Sequence, residues 1–532
     1  LSSENKQLKT PSIDRPQKEP AKKIILNKQE LEQPHSSLKK DRVAKIAGTE
    51  PSWQQKQHIE KFSIKYNQNH QKSKQLAQRY RPILADIRAA AGFRHSIKEI
   101  LYPIAGERAL GSRLWDVDGN EYIDITMGFG VLLFGHAPEF IKKALEKHEQ
   151  QGLKIGPQSK IAGEVAQLIC ELTEMERVTF CNTGTEAIMT ALRLARLTTG
   201  RKKIAIFSGS YHGHFDGVLA TGQNHFTASP LDSGISDKFV EDVLVLEYGQ
   251  PESIEILLAQ REELAAVLVE PVQSRRPHLQ PKDFLQKLRE LTTATGSVLI
   301  FDEVLTGFRV HPGGTQAWSG VKADIATFGK IIGGGTPIGV VAGKARYMNG
   351  IDGGVWNYGD DSYPEAEKTF FAGTFNKNHS GMVAAKAVLE YLKQQGSQLQ
   401  EKLNQRTEEL ATRLNNFLAE EEVPIRVEYF SSFFRFVFTG NLDLLFYHLI
   451  DKGIYIWEGR TCFLSTAHTE EDIEKIIQAV KESVKELKDG DFFPNIIGKE
   501  TLKADRKYLV PLSEAQKQLR MLAQMCGDSS VA

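Results

Sequence analysis

Four cysteines in 532 residues (Cys170, Cys181, Cys462 and Cys526), none in a Cys-x-x-Cys pair, indicate neither a disulfide framework nor a zinc site, so no metal is expected. Neither sign of charge is in surplus. Lys+Arg and Asp+Glu both number 67, which removes any general drive toward nucleic acid or an anionic membrane. No apolar run approaches the roughly 18 residues of a membrane helix, and the polar N-terminus has no signal-peptide core. A cytoplasmic location is expected. No internal repeat is visible. What is present is ordinary: 41% hydrophobic and 25% charged residues, enough chain for roughly two to four domains.

Residues 1 to about 72 are rich in Lys, Gln, Glu, Ser, Asn and Pro and read as a polar linker, with room for a short amphipathic helix near Trp53–Tyr66. Leu76, Tyr80, Ile83 and Ile87 predict a helix over Ser73–Ala90. Asp118-Gly119 between Leu114-Trp115 and Tyr122-Ile123 predicts a hairpin. Between Arg177 and Phe371, short apolar runs alternate with helical stretches, which argues a mainly parallel sheet covered by helices. Residues 380 to about 488 suit a smaller α+β domain.

The chain is organised around Val298–Arg309. Val298–Phe301 is too short for a helix and suits a strand buried on both faces; it stops at the carboxylate of Asp302. A second apolar run, Ile325–Phe328, ends in Gly329-Lys330. Chemistry in open α/β sheets gathers at the carboxyl ends of parallel strands, so Asp302 and Lys330 can share one rim. An acid and an amine so placed suit a cofactor that forms an imine with lysine and needs a protonated ring nitrogen, pyridoxal 5'-phosphate. The plain alternative is a helix cap and a surface charge. Asn182-Thr-Gly-Thr-Glu186 lies between an apolar run and a helix, where backbone N–H groups and the helix dipole favour a phosphate. Taken in isolation, the same residues read more readily as an ordinary Thr N-cap. Tyr211 in Ser210-Tyr-His-Gly213 can lie over an aromatic ring, while His212 reads as a satisfied buried histidine.

Taken in order, Asp116–Asp124, Asn182–Glu186, Tyr211–Gly213, Glu270-Pro271, Asp302–Arg309, Gly329-Lys330 and Gly373–Phe375 resemble the class III aminotransferases of fold type I over roughly residues 95 to 490. The Asp302–Arg309 string is closest to the glutamate-1-semialdehyde aminomutase branch. The resemblance implies an α/β fold type I transferase, a large domain with a mainly parallel sheet plus a smaller α+β domain. The expected division is a 1–72 linker, 73–125 as the N-terminal part of the small domain, 126–375 as the large cofactor domain, 376–490 as the C-terminal small domain and 491–510 as a second linker. It implies Lys330 as Schiff-base lysine, Asp302 at the pyridinium nitrogen, Thr183, Gly184 and Thr185 at the phosphate, and Tyr211 stacked on the ring and counted as catalytic. Thr374 is implied to reach the phosphate of a neighbouring subunit in a homodimer. The donor carboxylate needs a cation, for which Arg460 and Arg275 are candidates.

Two departures stand out. Arg275 replaces the second Glu of a Glu-Pro-x-Gln-x-Glu string, which puts the acid–arginine gate for dicarboxylates in doubt; Leu305 stands where ornithine-type relatives carry Gln. Beyond the family region, Pro511–Leu519 resembles the first motif of a condensation domain, so residues 511–532 are expected to begin one. This resembles an aminotransferase domain of a hybrid polyketide–nonribosomal peptide synthetase of the mycosubtilin and iturin type. The implied substrate is a β-ketoacyl thioester on the phosphopantetheine arm of an acyl carrier protein, aminated from an amino-acid donor in lipopeptide synthesis, with synthetase domains adjoining. The loop Met127–Val131, with Phe129, is the expected substrate entrance. The alternatives are an aminomutase acting on a free small molecule and a catalytically silent scaffold.

Overall fold

The computed structural model describes residues 50–493, apart from 91–92, 223–226 and 439–440. The Pro511–Leu519 string, and with it the expected condensation domain, lies outside the described residues, as do residues 1–49.

The apolar runs assemble into one seven-stranded sheet. Its strands are β1 (Arg177–Cys181), β2 (Lys203–Phe207), β3 (Val243–Leu246), β4 (Leu264–Val269), β5 (Val298–Asp302), β6 (Ile325–Gly329) and β7 (Gly339–Gly343). They lie in the order β1-β7-β6-β5-β4-β2-β3. Only β7 runs against its neighbours; the adjacent pairs among β2 to β6 are all parallel. Along β5, Leu299 and Phe301 enter one core cluster while Val298 and Ile300 enter the other, on the opposite face. Such strands must be apolar at every position, which is why they read as unbroken runs. The shared direction also brings the exits of β1, β2, β4, β5 and β6 to one rim.

The hairpin Arg113–Asp116 with Glu121–Asp124 forms as predicted, its turn held by Asp116 Oδ1, which accepts from Asp118 N (3.0 Å) and Asn120 N (2.8 Å). Its second strand pairs in parallel with Ile454–Tyr455, tying the early chain to the C-terminal region. There, Ile425–Phe430, Phe433–Phe438 and Cys462–Phe463 form an antiparallel sheet, with the helices Gln398–Glu420 and Glu470–Asp489 in the same region of the chain.

Two expectations need correction. The polar linker does not run to residue 72, because Trp53–Asn69 is a helix that Ser52 and Gln55 close with a capping box. Ile59, Phe62 and Tyr66 are buried, worth on the order of 1.5–3 kcal/mol each, a pattern that average composition conceals. The next helix is Gln71–Tyr80 rather than 73–90. Arg81 still has helical backbone, but Pro82 has no N–H to continue the bonding to Gln78, and Tyr80, Ile83 and Ile87 remain exposed.

Candidate active site

Strands β5 and β6 pair with Asp302 opposite Thr327, so Lys330 emerges three residues further along the same rim. Lys330 adopts left-handed backbone, with φ of 45°. For a residue with a side chain this is strained, on the order of 1–3 kcal/mol, and such strain persists where packing enforces it. Lys330 keeps partial solvent contact, yet loss of water around its ammonium lowers its pKa; Asp302 and Glu270 pull the value back up and Arg309 pushes it down. Its nitrogen has no hydrogen-bond partner among the described residues.

Asp302 is buried and engaged on both oxygens. Oδ1 accepts from Val304 N (3.1 Å), and His212 Nδ1 donates to Oδ2 at 2.7 Å. Since a carboxylate only accepts, His212 must carry its proton on Nδ1. Its Nε2 is buried without a partner among the described residues. His212 is therefore not the satisfied core histidine that its sequence context implied, and no local spacing could reveal a partner 90 residues away. Glu270, also buried, accepts from Tyr211 N (2.9 Å) and Ser274 N (3.3 Å), and burial raises its pKa.

At the exit of β1 the chain turns into the helix Gly184–Thr199. Thr183 is its N-cap, Oγ1 accepting from Glu186 N at 3.2 Å, and Glu186 reaches back to Asn182 N at 2.8 Å. The N-cap reading is thus correct, and it leaves the amides of Gly184 and Thr185 without intrahelical acceptors. A Cβ on Gly184 would sit 3.0 Å from Val304, and one on Gly213, whose φ is +85°, would sit 2.3 Å from Thr185 Oγ1. Three strand exits therefore close on one another only because these positions lack side chains.

The family described as aminotransferase class-III matches residues 95–484. The chain belongs to it. Among its relatives is a glutamate-1-semialdehyde 2,1-aminomutase of Archaeoglobus fulgidus, 36% identical over 403 residues, covering 72% of this chain and 93% of that protein. Similar solved structures include an omega-transaminase from Sphaerobacter thermophilus (29% identity, TM-score 0.70, covering 78% of this chain and 98% of that one). A beta-phenylalanine aminotransferase from Variovorax paradoxus is 30% identical with TM-score 0.69, covering 81% of this chain and 98% of that one.

Class-III aminotransferases work with pyridoxal 5'-phosphate, and the residues present fit it. Free amides at a helix N-terminus suit the phosphate. The orphaned Asn182 Oδ1 and His212 Nε2 mark buried polar groups still lacking partners at this rim. Asp302 and Lys330 are the acid and amine that the cofactor chemistry requires.

Other predicted residues are placed less directly. Tyr211 is half exposed, with the Arg275 guanidinium 5.4 Å from its ring centre. Thr374 is exposed and makes no hydrogen bond to the Thr183–Thr185 turn within one chain, though Asn376 beside it accepts from Asn182 Nδ2 (3.0 Å). Phe129 lies on a left-handed turn against the edge of Trp457, ring centres 4.7 Å apart. That turn is not an open loop, for Met127 and Gly130 are buried and a Cβ on Gly130 would meet Phe463 at 2.8 Å. Arg275 and Arg460 are both exposed. In the sequence Arg309 is only the end of the Asp302–Arg309 string. It is fully buried without a carboxylate, bonded to Ser432 Oγ (3.0 Å), the Leu305 carbonyl (3.3 Å) and the Gly130 carbonyl. It joins the Met127–Val131 turn to Ser432, between the strands Ile425–Phe430 and Phe433–Phe438.

Proposed function

We propose that this chain transfers an amino group from an amino-acid donor to a carbonyl acceptor, with Lys330 as the catalytic amine. The observation that carries this is a water-poor amine and a doubly anchored carboxylate at adjacent strand ends, beside a helix N-terminus with free amides. When bound, the cofactor supplies a carbonyl carbon for the amine and a ring that accepts electrons from the donor's Cα. Lys330 Nζ would hold that carbonyl carbon at rest and, once freed, would take the proton from the donor's Cα and deliver it to that carbon, the reverse transfer serving the acceptor. Desolvation makes the unprotonated amine easier to reach. Asp302, fixed by His212 and Val304 N, keeps the ring nitrogen protonated. Gly184 N and Thr185 N would hold the phosphate, and Tyr211 would lie against the ring. Thr374, exposed and without a hydrogen bond to the Thr183–Thr185 turn, would serve the phosphate of a partner subunit in a homodimer.

Curated relatives named as aminomutases favour a free small-molecule substrate. A β-amino product is the reading favoured by the solved β-phenylalanine aminotransferase. The carrier-bound β-ketoacyl substrate rests on the Pro511–Leu519 string, and the acyl carrier protein and neighbouring synthetase domains come with it.

Purified protein carrying cofactor is expected to show the visible band of a lysine-bound pyridoxal group, and Lys330→Ala to lose the covalent adduct and turnover. Full turnover by that variant refutes the assignment. Donor-loaded enzyme is then offered a free keto acid and, separately, a β-ketoacyl carrier protein followed by intact mass. Amination of only one decides between the acceptors.

A further inference from the structure

The segments that carry Arg275, Arg435 and Arg460 meet at one corner beside this site. Thr461 Oγ1 donates to the Ser274 carbonyl at 2.9 Å, which ties the loop of Arg460 to the loop of Arg275. Phe434 pairs with Cys462 across the small-domain sheet and brings Arg435, the next residue on its strand, to the same corner. Arg275 in turn faces the Tyr211 ring. None of the three side chains has a hydrogen bond or a carboxylate partner among the described residues. Glu428, across the sheet from Arg435, is already engaged by His278 Nδ1 and Arg426 Nη2, both at 2.5 Å. Arg435 is partly buried, and loss of water together with the charges of Arg275 and Arg460 lowers its pKa.

Like charges gathered without counter-charges are unfavourable, and the cost is offset when an anion enters. A single carboxylate is satisfied by one guanidinium fork, whereas three forks match a ligand with two negative charges. With Arg at 275 instead of a carboxylate, the acid that faces the cluster is Glu428, which pulls the Arg435 pKa up only weakly and is already held by His278 and Arg426. We propose that Arg435, with Arg275 and Arg460, forms a specificity site for a substrate that carries a further negative charge on an oxyanion group. This rests on the amino-transfer reading above and deepens it. Two sources share the chemistry, the second carboxylate of a dicarboxylic amino acid and a phosphate carried by the acceptor.

The test is calorimetric titration of the holoenzyme, whose own phosphate turn is then filled, at low ionic strength. Succinate, propionate and inorganic phosphate serve as probes because none carries an amine to react. Wild type is expected to bind succinate or phosphate about tenfold more tightly than propionate, as one charge-assisted contact predicts. Arg435→Gln should reduce the ratio below about twofold, while Arg435→Lys, which keeps the charge, should retain part of it. A succinate preference assigns the site to a dicarboxylic donor, and a phosphate preference assigns it to a phosphorylated acceptor. Equal binding of all three probes by wild type, or an unchanged ratio in Arg435→Gln, overturns the proposal. Bleaching of the visible band by L-alanine is read in parallel. Failure of that readout alone counts against amino transfer, not against the anion site.

Discussion

Glu303, the residue after Asp302, gives the sharpest pH-dependent expectation. It is fully buried; Oε2 accepts from Thr315 N at 2.5 Å, and Oε1 has no partner among the described residues. Burial raises its pKa from 4.5 to about 7. Below the lower value both folded and unfolded chains are protonated and nothing is lost. Between the two the unfolded chain ionises first, so stability falls at about 1.36 kcal/mol per unit of pH. Above the higher value the loss is complete, about 3 kcal/mol. Glu303→Gln keeps the shape and an acceptor for Thr315 N but cannot ionise. Relative to the parent, the variant should therefore melt about 2–3 °C higher at pH 8 than at pH 5, given the unfolding entropy of a chain this size. Thermal melts of the two proteins at both pH values measure this. A melting difference that is the same at both, or larger in the variant's favour at pH 5, refutes the argument.

Removing the His212 donor with His212→Phe leaves Asp302 Oδ2 unpaired; steady-state turnover should fall about ten- to a hundredfold, and an unchanged rate rejects that role. Asp302→Asn removes the charge that raises the Lys330 pKa, so amine-directed labelling of Lys330 in cofactor-free protein should begin at lower pH than in wild type. A shift to higher pH has the wrong sign. Gly213→Ala drives a Cβ into Thr185 at a left-handed backbone position; overpacking of about 1–3 kcal/mol should weaken cofactor binding at least about fivefold in a fluorescence titration.

The mainly parallel sheet, with the strands Val298–Phe301 and Ile325–Phe328 in it, was legible in the chain itself, because both faces of a parallel strand are covered and its composition must show it. The same holds for the acid and amine at two strand exits, since an apolar run that stops at a charged residue locates a rim. Local patterns carry neither distance nor direction across the sheet. The pairing of His212 with Asp302, the reach of Arg309 to Gly130 and Ser432, and the meeting of Arg275, Arg435 and Arg460 all join residues far apart in the chain. Packing also decided that Trp53–Asn69 belongs to the folded body, because Ile59, Phe62 and Tyr66 find an apolar surface supplied by other parts of the chain. Strand type follows from how many faces are covered, which each segment records in its own composition. Partners follow from where the sheet order places the exits, and only the assembled fold specifies that.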